Sequence, residues 1–136
     1  MKGRFDPTCT VEFYQKGSNV QLGPGLCVAR VPLNGRNFEY MSGEDPYLGS
    51  QMVQPVIRGS QSQKVVANAK HWVLNNQETN RMGVSEDVDE ATRFELYYPP
   101  FAGAIEAGVG TLLCGHCSAG VSDSVFEAYR GGGAWA

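Results

Sequence analysis

The sequence predicts an α/β fold built on a parallel sheet, and three observations lead there. Short strand-like segments alternate with segments of helical apolar spacing, in the order strand, helix, strand, helix, strand. Two of the strands, Val65–Ala69 and Val109–Leu113, are short apolar runs of the kind buried on both faces. Polar clusters follow the strand ends, where such sheets place their chemistry.

Each element has a local reason. Val11 to Lys16 reads either as a strand or as the last turns of a helix closed by Gly17, since periodicity cannot decide over so few residues. Asn19-Val20-Gln21-Leu22 reads as a short strand ended by the Gly23-Pro24-Gly25 turn. From Ser42 a helix is expected, with Ser42 as its cap, Glu44 and Asp45 at its positive end and Pro46 in its first turn. Leu48, Met52, Val53, Val56 and Ile57 continue it at helical spacing, with a bend expected at Pro55. The strand Val65–Ala69 leads into Lys70-His71-Trp72. A second helical stretch is expected from Asp89-Glu90 through Phe94, Leu96 and Tyr97, interrupted by Pro99-Pro100, resumed over Phe101 to Glu106 and stopped by Gly108. Asp87, Asp89 and Glu90 read most simply as the negative start of that helix.

The bulk numbers narrow the function classes. A chain of 136 residues with 42% hydrophobic and 18% charged residues has the composition of one globular domain. Its 17 glycines point to many loops. A net charge of -3 with scattered Lys and Arg gives no stripe for phosphates, so no nucleic-acid partner is expected. No apolar run reaches the roughly 18 residues needed to span a bilayer, so no membrane span is expected either. Met1–Pro7 has no apolar region of the signal-peptide kind, and the compartment stays open. Cys9, Cys27, Cys114 and Cys117 are too few and too scattered for a disulfide scaffold.

Two stretches carry a resemblance. One is Asn34-Gly35-Arg36-Asn37-Phe38-Glu39-Tyr40 followed by Ser42-Gly43-Glu44-Asp45-Pro46. The other is Ala69-Lys70-His71-Trp72 with Asn75-Asn76-Gln77-Glu78-Thr79-Asn80-Arg81, continuing through Val88-Asp89-Glu90 to Glu95-Leu96-Tyr97-Tyr98-Pro99-Pro100-Phe101. In order and separation they resemble glycoside hydrolase family 3, the β-glucosidase-like enzymes, from about Val11 to Leu113.

The resemblance implies a partial (β/α)8 TIM-like barrel of about three parallel strands with flanking helices. It also implies a missing second half of that barrel and a missing C-terminal α/β domain. The chemistry it implies is retaining hydrolysis of O-glycosyl bonds by an Asp nucleophile and a Glu acid/base. Arg36, Lys70, His71 and Arg81 match the positions that hold the hydroxyls of a β-glucoside or glucose-like sugar. Charged donors suit that task. For adjacent residues Lys70 and His71 both to reach one sugar the backbone must distort, through a cis peptide as the resemblance suggests. Glu78 is cast as a site-shaping residue, and Trp72 reads as a buried aromatic rather than a stacking platform.

No catalytic residue is assigned. The family's Ser-Asp-Trp is not found; Ser122-Asp123-Ser124 offers an aspartate, but too near the preceding strand and without the Trp. Residues 1–113 are therefore expected to be the partial barrel domain and 114–136 a divergent tail, disordered or non-native. Hydrolysis by this chain alone is expected to be negligible. With open sheet edges and uncovered apolar faces, the chain is also expected to be marginally stable, to self-associate or to depend on a partner.

Two alternatives stand beside this reading. One is a sugar-binding remnant without catalysis. The other is a thiol-disulfide oxidoreductase acting through Cys114-Gly115-His116-Cys117, although only 19 residues follow Cys117. No cofactor is expected, and no metal site, since His71 and His116 lack ligand spacing.

Overall fold

Small and β-branched residues build the centre of a parallel sheet. The computed structural model describes residues 8–115. Its strands are β1 (Val20–Gln21), β2 (Val66–Trp72) and β3 (Thr111–Cys114), adjacent in that order. Val20 pairs with Val66, and Asn68, Ala69 and Lys70 pair with Thr111, Leu112 and Leu113. Parallel neighbours need a crossover. Helix α1 (Thr8–Gln15) precedes β1, and α2 (Pro46–Ser62) carries the chain from β1 to β2. Between β2 and β3 come α3 (Glu90–Thr92), one π-helical turn over Arg93–Tyr97, and α4 (Pro99–Glu106). Three parallel strands with flanking helices are the arrangement expected from the sequence.

Local chemistry settles what periodicity left open. The segment before β1 is helical, and Gly17 leaves it at φ +86°, a conformation that favours glycine. Helix α2 starts later than expected. Its cap is Asp45, whose carboxylate accepts from the Tyr47 and Leu48 amides at 2.8 and 3.2 Å. Ser42 is instead buried and donates to the Leu26 carbonyl at 2.7 Å. Pro46 occupies the first turn, as expected, and the helix continues through Pro55. The helical stretch from Glu90 ends at Tyr97, just before Pro99-Pro100, as expected; it resumes two residues earlier than expected, because the prolines themselves open α4, where a missing N–H costs nothing.

The core lies between the sheet and the α2/α4 pair. Val53 and Ile57 of α2, Phe101 and Ala104 of α4, and Ala67 and Ala69 of β2 are all fully buried. Helix α4 crosses close to α2 at Gly103, where a Cβ would sit 2.5 Å from the Ser50 carbonyl oxygen. Trp72 stacks on Tyr98 at 5.1 Å and meets Phe101 edge-on at 5.1 Å, a packing role as expected. Strand β2 is not buried evenly on both faces. Val66 is 37% exposed between partners that hide Ala67 and Ala69 completely. The strand also runs past Ala69 to Trp72, so Lys70 and His71 lie within it rather than after it. Pairing explains the extension: Lys70 exchanges backbone hydrogen bonds with Pro24 and Leu26 on one side and pairs with Leu113 on the other.

Candidate substrate-binding site

At the C-terminal end of β2, charged residues from three segments meet. Gly25 is the pivot. It bridges to both Tyr40 and Lys70, and a Cβ there would lie 2.7 Å from the Glu39 carbonyl oxygen. Only a glycine lets the 31–40 loop lie this close to the strand. That loop is tied again where Gly35 pairs with Gln77 and the Glu78 amide donates to the Asn34 carbonyl at 2.9 Å.

The side chains form an alternating chain of charge. Lys70 Nζ donates to Glu39 Oε2 at 3.2 Å, and Arg36 Nε donates to the other oxygen, Glu39 Oε1. Arg36 Nη1 also reaches Glu78 Oε2 at 3.4 Å, and Glu78 Oε1 lies 3.6 Å from Arg81 Nε. The Lys70–Glu39–Arg36 part is sheltered, with side chains about a fifth exposed, whereas Glu78 is 47% exposed. Burial alone would raise the Glu39 pKa, but hydrogen bonds from Arg36 and Lys70 outweigh it and hold the carboxyl below its usual range. Glu39 is thus a fixed anion.

His71 sits beside this chain in a different state. It is 8% exposed, and its Nδ1 lies 3.0 Å from the Tyr40 hydroxyl. Burial, then the nearby charges of Lys70 and Arg36, lower its pKa to about 4. It is therefore a neutral imidazole at neutral pH. The Lys70–His71 peptide bond is cis, as expected.

All four residues singled out from the sequence are brought together. Arg36, Lys70 and Arg81 are linked through Glu39 and Glu78, and the charges of Lys70, Arg36 and Arg81 all act on His71. Sequence reasoning gave no role to Glu39 or Tyr40, which organise the cluster. A signal existed: Glu39 stands three residues from Arg36, the spacing of one helical turn. Asp89 caps α3 through the Thr92 amide at 2.9 Å, as a helix-start role requires. Cys114 ends β3; His116, Cys117 and Asp123 lie outside the described residues. Among the described residues no cluster of three or more His, Cys, Asp or Glu could hold a metal ion.

Residues 8–126 match the model of the glycosyl hydrolase family 3 N-terminal domain. The chain belongs to that family. Among curated family 3 relatives, β-glucosidase BoGH3A of Bacteroides ovatus is 46% identical over 97 residues, 71% of this chain and 13% of its own. Thermostable β-glucosidase B of Acetivibrio thermocellus is 50% identical over 99 residues, 72% of this chain and 13% of its own. The chain thus spans about an eighth of the length of these two relatives. Solved family structures superimpose on it. DesR, a β-glucosidase from Streptomyces venezuelae in complex with D-glucose, covers 94% of this chain at TM-score 0.82 and 30% identity. That match uses 18% of the DesR chain. β-Glucosidase 3B from Thermotoga neapolitana, in complex with glucose, covers 79% at TM-score 0.76 and 39% identity, with 15% of its own chain matched. The three parallel strands are accordingly part of a family 3 TIM-barrel domain.

Proposed function

We propose that this chain forms the sugar-holding part of a β-glucosidase-type active site. In this reading Arg36, Lys70, His71 and Arg81 bind the hydroxyls of a β-glucoside or glucose-like sugar, and the whole protein hydrolyses O-glycosyl bonds. The observation that carries the reading is the convergence of these four residues at the C-terminal end of β2, the face on which barrels carry their chemistry. Support comes from the solved relatives whose structures contain glucose.

The chemistry fits a binding role better than a catalytic one. A pyranose offers a ring of hydroxyls, and charged donors bond to such groups more strongly than neutral ones. Ion pairing to Glu39 and Glu78 holds those donors in place before a sugar arrives, which lowers the cost of ordering them. Glu39 itself is a poor general acid, because two cations keep it ionised. The nucleophile and the acid/base of a retaining mechanism are not assigned to any described residue.

Urea unfolding followed by Trp fluorescence, with and without glucose, tests the proposal. Glucose at ten times its Kd should raise stability by about 1.4 kcal/mol, and Arg36→Ala should abolish that gain. A cooperative transition that glucose leaves in place would overturn the sugar-holding reading.

A further inference from the structure

We infer that Tyr40 is a positioning residue that locks His71 in the Nδ1–H tautomer, so that Nε2 offers the cluster a hydrogen-bond acceptor. Tyr40 Oη lies 2.9 Å from the Asn75 carbonyl oxygen and 3.0 Å from His71 Nδ1. A carbonyl oxygen only accepts, so the single phenolic proton belongs to that contact. The second contact is then a hydrogen bond only if Nδ1 carries the proton and Tyr40 Oη accepts it. Asn75 Nδ2, 3.5 Å from the same Oη, adds a donor on the accepting side. The arrangement is held rigidly: Tyr40 is 5% exposed, Asn75 2%, and the Tyr40 and His71 rings meet at 87°.

A neutral imidazole has one proton, and Tyr40 claims it on Nδ1. Nε2 is left bare, with no hydrogen-bond partner among the described residues. The polarity of the cluster follows. Lys70, Arg36 and Arg81 only donate, and the carboxylates of Glu39 and Glu78 are already engaged by those cations. His71 Nε2 is the neutral acceptor of this cluster that no cation engages, open to a hydrogen bond from a ligand hydroxyl. This part of the inference rests on the proposed sugar-holding role. It adds a specificity rule to that role: one hydroxyl is read as a donor, and those facing Lys70 and the guanidiniums are read as acceptors.

The test separates the two layers. The chain has two histidines, so 15N-histidine labelling of the full chain gives two ring systems, assigned through His71→Gln. At pH 7 the expected result is a protonated Nδ1 and an unprotonated Nε2 for His71. A protonated Nε2 overturns the inference, and this measurement needs no variant. In Tyr40→Phe the tautomers should mix; an unchanged pure Nδ1–H form would remove Tyr40 from the role. For the sugar layer, binding of singly deoxygenated and singly fluorinated glucoses is compared. At one ring position fluorine should lose as much affinity as deletion, about tenfold, because fluorine cannot donate to Nε2. If glucose binds but fluorine outperforms deletion at every position, the specificity rule is wrong. If glucose does not bind while the tautomer stands, the sugar-holding reading has failed and the positioning of His71 by Tyr40 survives it.

Discussion

The helix-covered face of β2 and the loop-built rim at its end are held by different forces. Behind the strand, Val53, Ile57, Phe101 and Ala104 are fully buried apolar groups, indifferent to salt and pH. At the rim, Arg36, Glu39, Lys70, Glu78 and Arg81 hold one another by charge, with His71 kept neutral beside them. The first region decides whether the chain folds; the second, in the proposed reading, holds the sugar. A change behind the strand should therefore appear in stability, and a change at the rim in binding and in pH dependence.

The sharpest way to break the contrast is Phe101→Ala. It removes a fully buried ring that also packs edge-on against Trp72. A loss of about 3–5 kcal/mol is expected, read as a fall in the urea midpoint with altered Trp72 fluorescence. A loss below about 1 kcal/mol would show that the α2/α4 pair does not carry the fold.

Acid is the next lever, and it acts on the rim. The folded pKa of His71, about 4, lies below its ordinary 6.5, so the unfolded chain binds more protons between those values. Stability should hold above pH 6.5 and fall as the pH drops towards 4, by up to about 3 kcal/mol. Glu39, with its lowered pKa, adds a loss of the same sign at the acid end. The charges facing His71 are Lys70, Arg36, Arg81 and Glu39. Denaturation midpoints across this range, repeated on His71→Gln, isolate its share; an identical pH profile in the variant would contradict it.

Removing one charge should separate binding from stability. Glu39→Gln strips the shared anion from Arg36 and Lys70 and should cost about 1 kcal/mol of stability. Glucose affinity should fall more, about tenfold, because both donors lose their anchor. Arg81→Ala sits at the small end. Its pair with the half-exposed Glu78 is worth under about 0.5 kcal/mol, so unfolding should hardly change while sugar affinity drops. Isothermal titration beside urea curves checks both.

Much of this layout was legible in the residues. Spacing alone marked the helix containing Val53 and Ile57 and the strand running into Lys70 and His71, because burial imposes period on sequence. The motif residues Arg36, Lys70, His71 and Arg81 could be named together. Other features were not readable locally. Ser42 and Asp45 are equally good caps in sequence; the Leu26 carbonyl, distant along the chain, claims Ser42 and leaves the helix to Asp45. Pro99-Pro100 marked a break in the helical stretch, but that the prolines themselves form the first turn of α4 appears only in the fold, where α4 packs against α2.

What the sequence by itself determined was the alternation of strands and helices and the kinds of side chain at the end of β2. Those follow from periodicity and residue chemistry, which are local. Only the tertiary structure decided that Glu39 ties Lys70 to Arg36, that Glu78 ties Arg36 to Arg81, and that Tyr40 faces His71. Each is a contact between segments some 30 to 40 residues apart or hinges on one that is. Charge and proton placement depend on distance in space, and the close approach at Gly25 creates that distance only after the chain has folded.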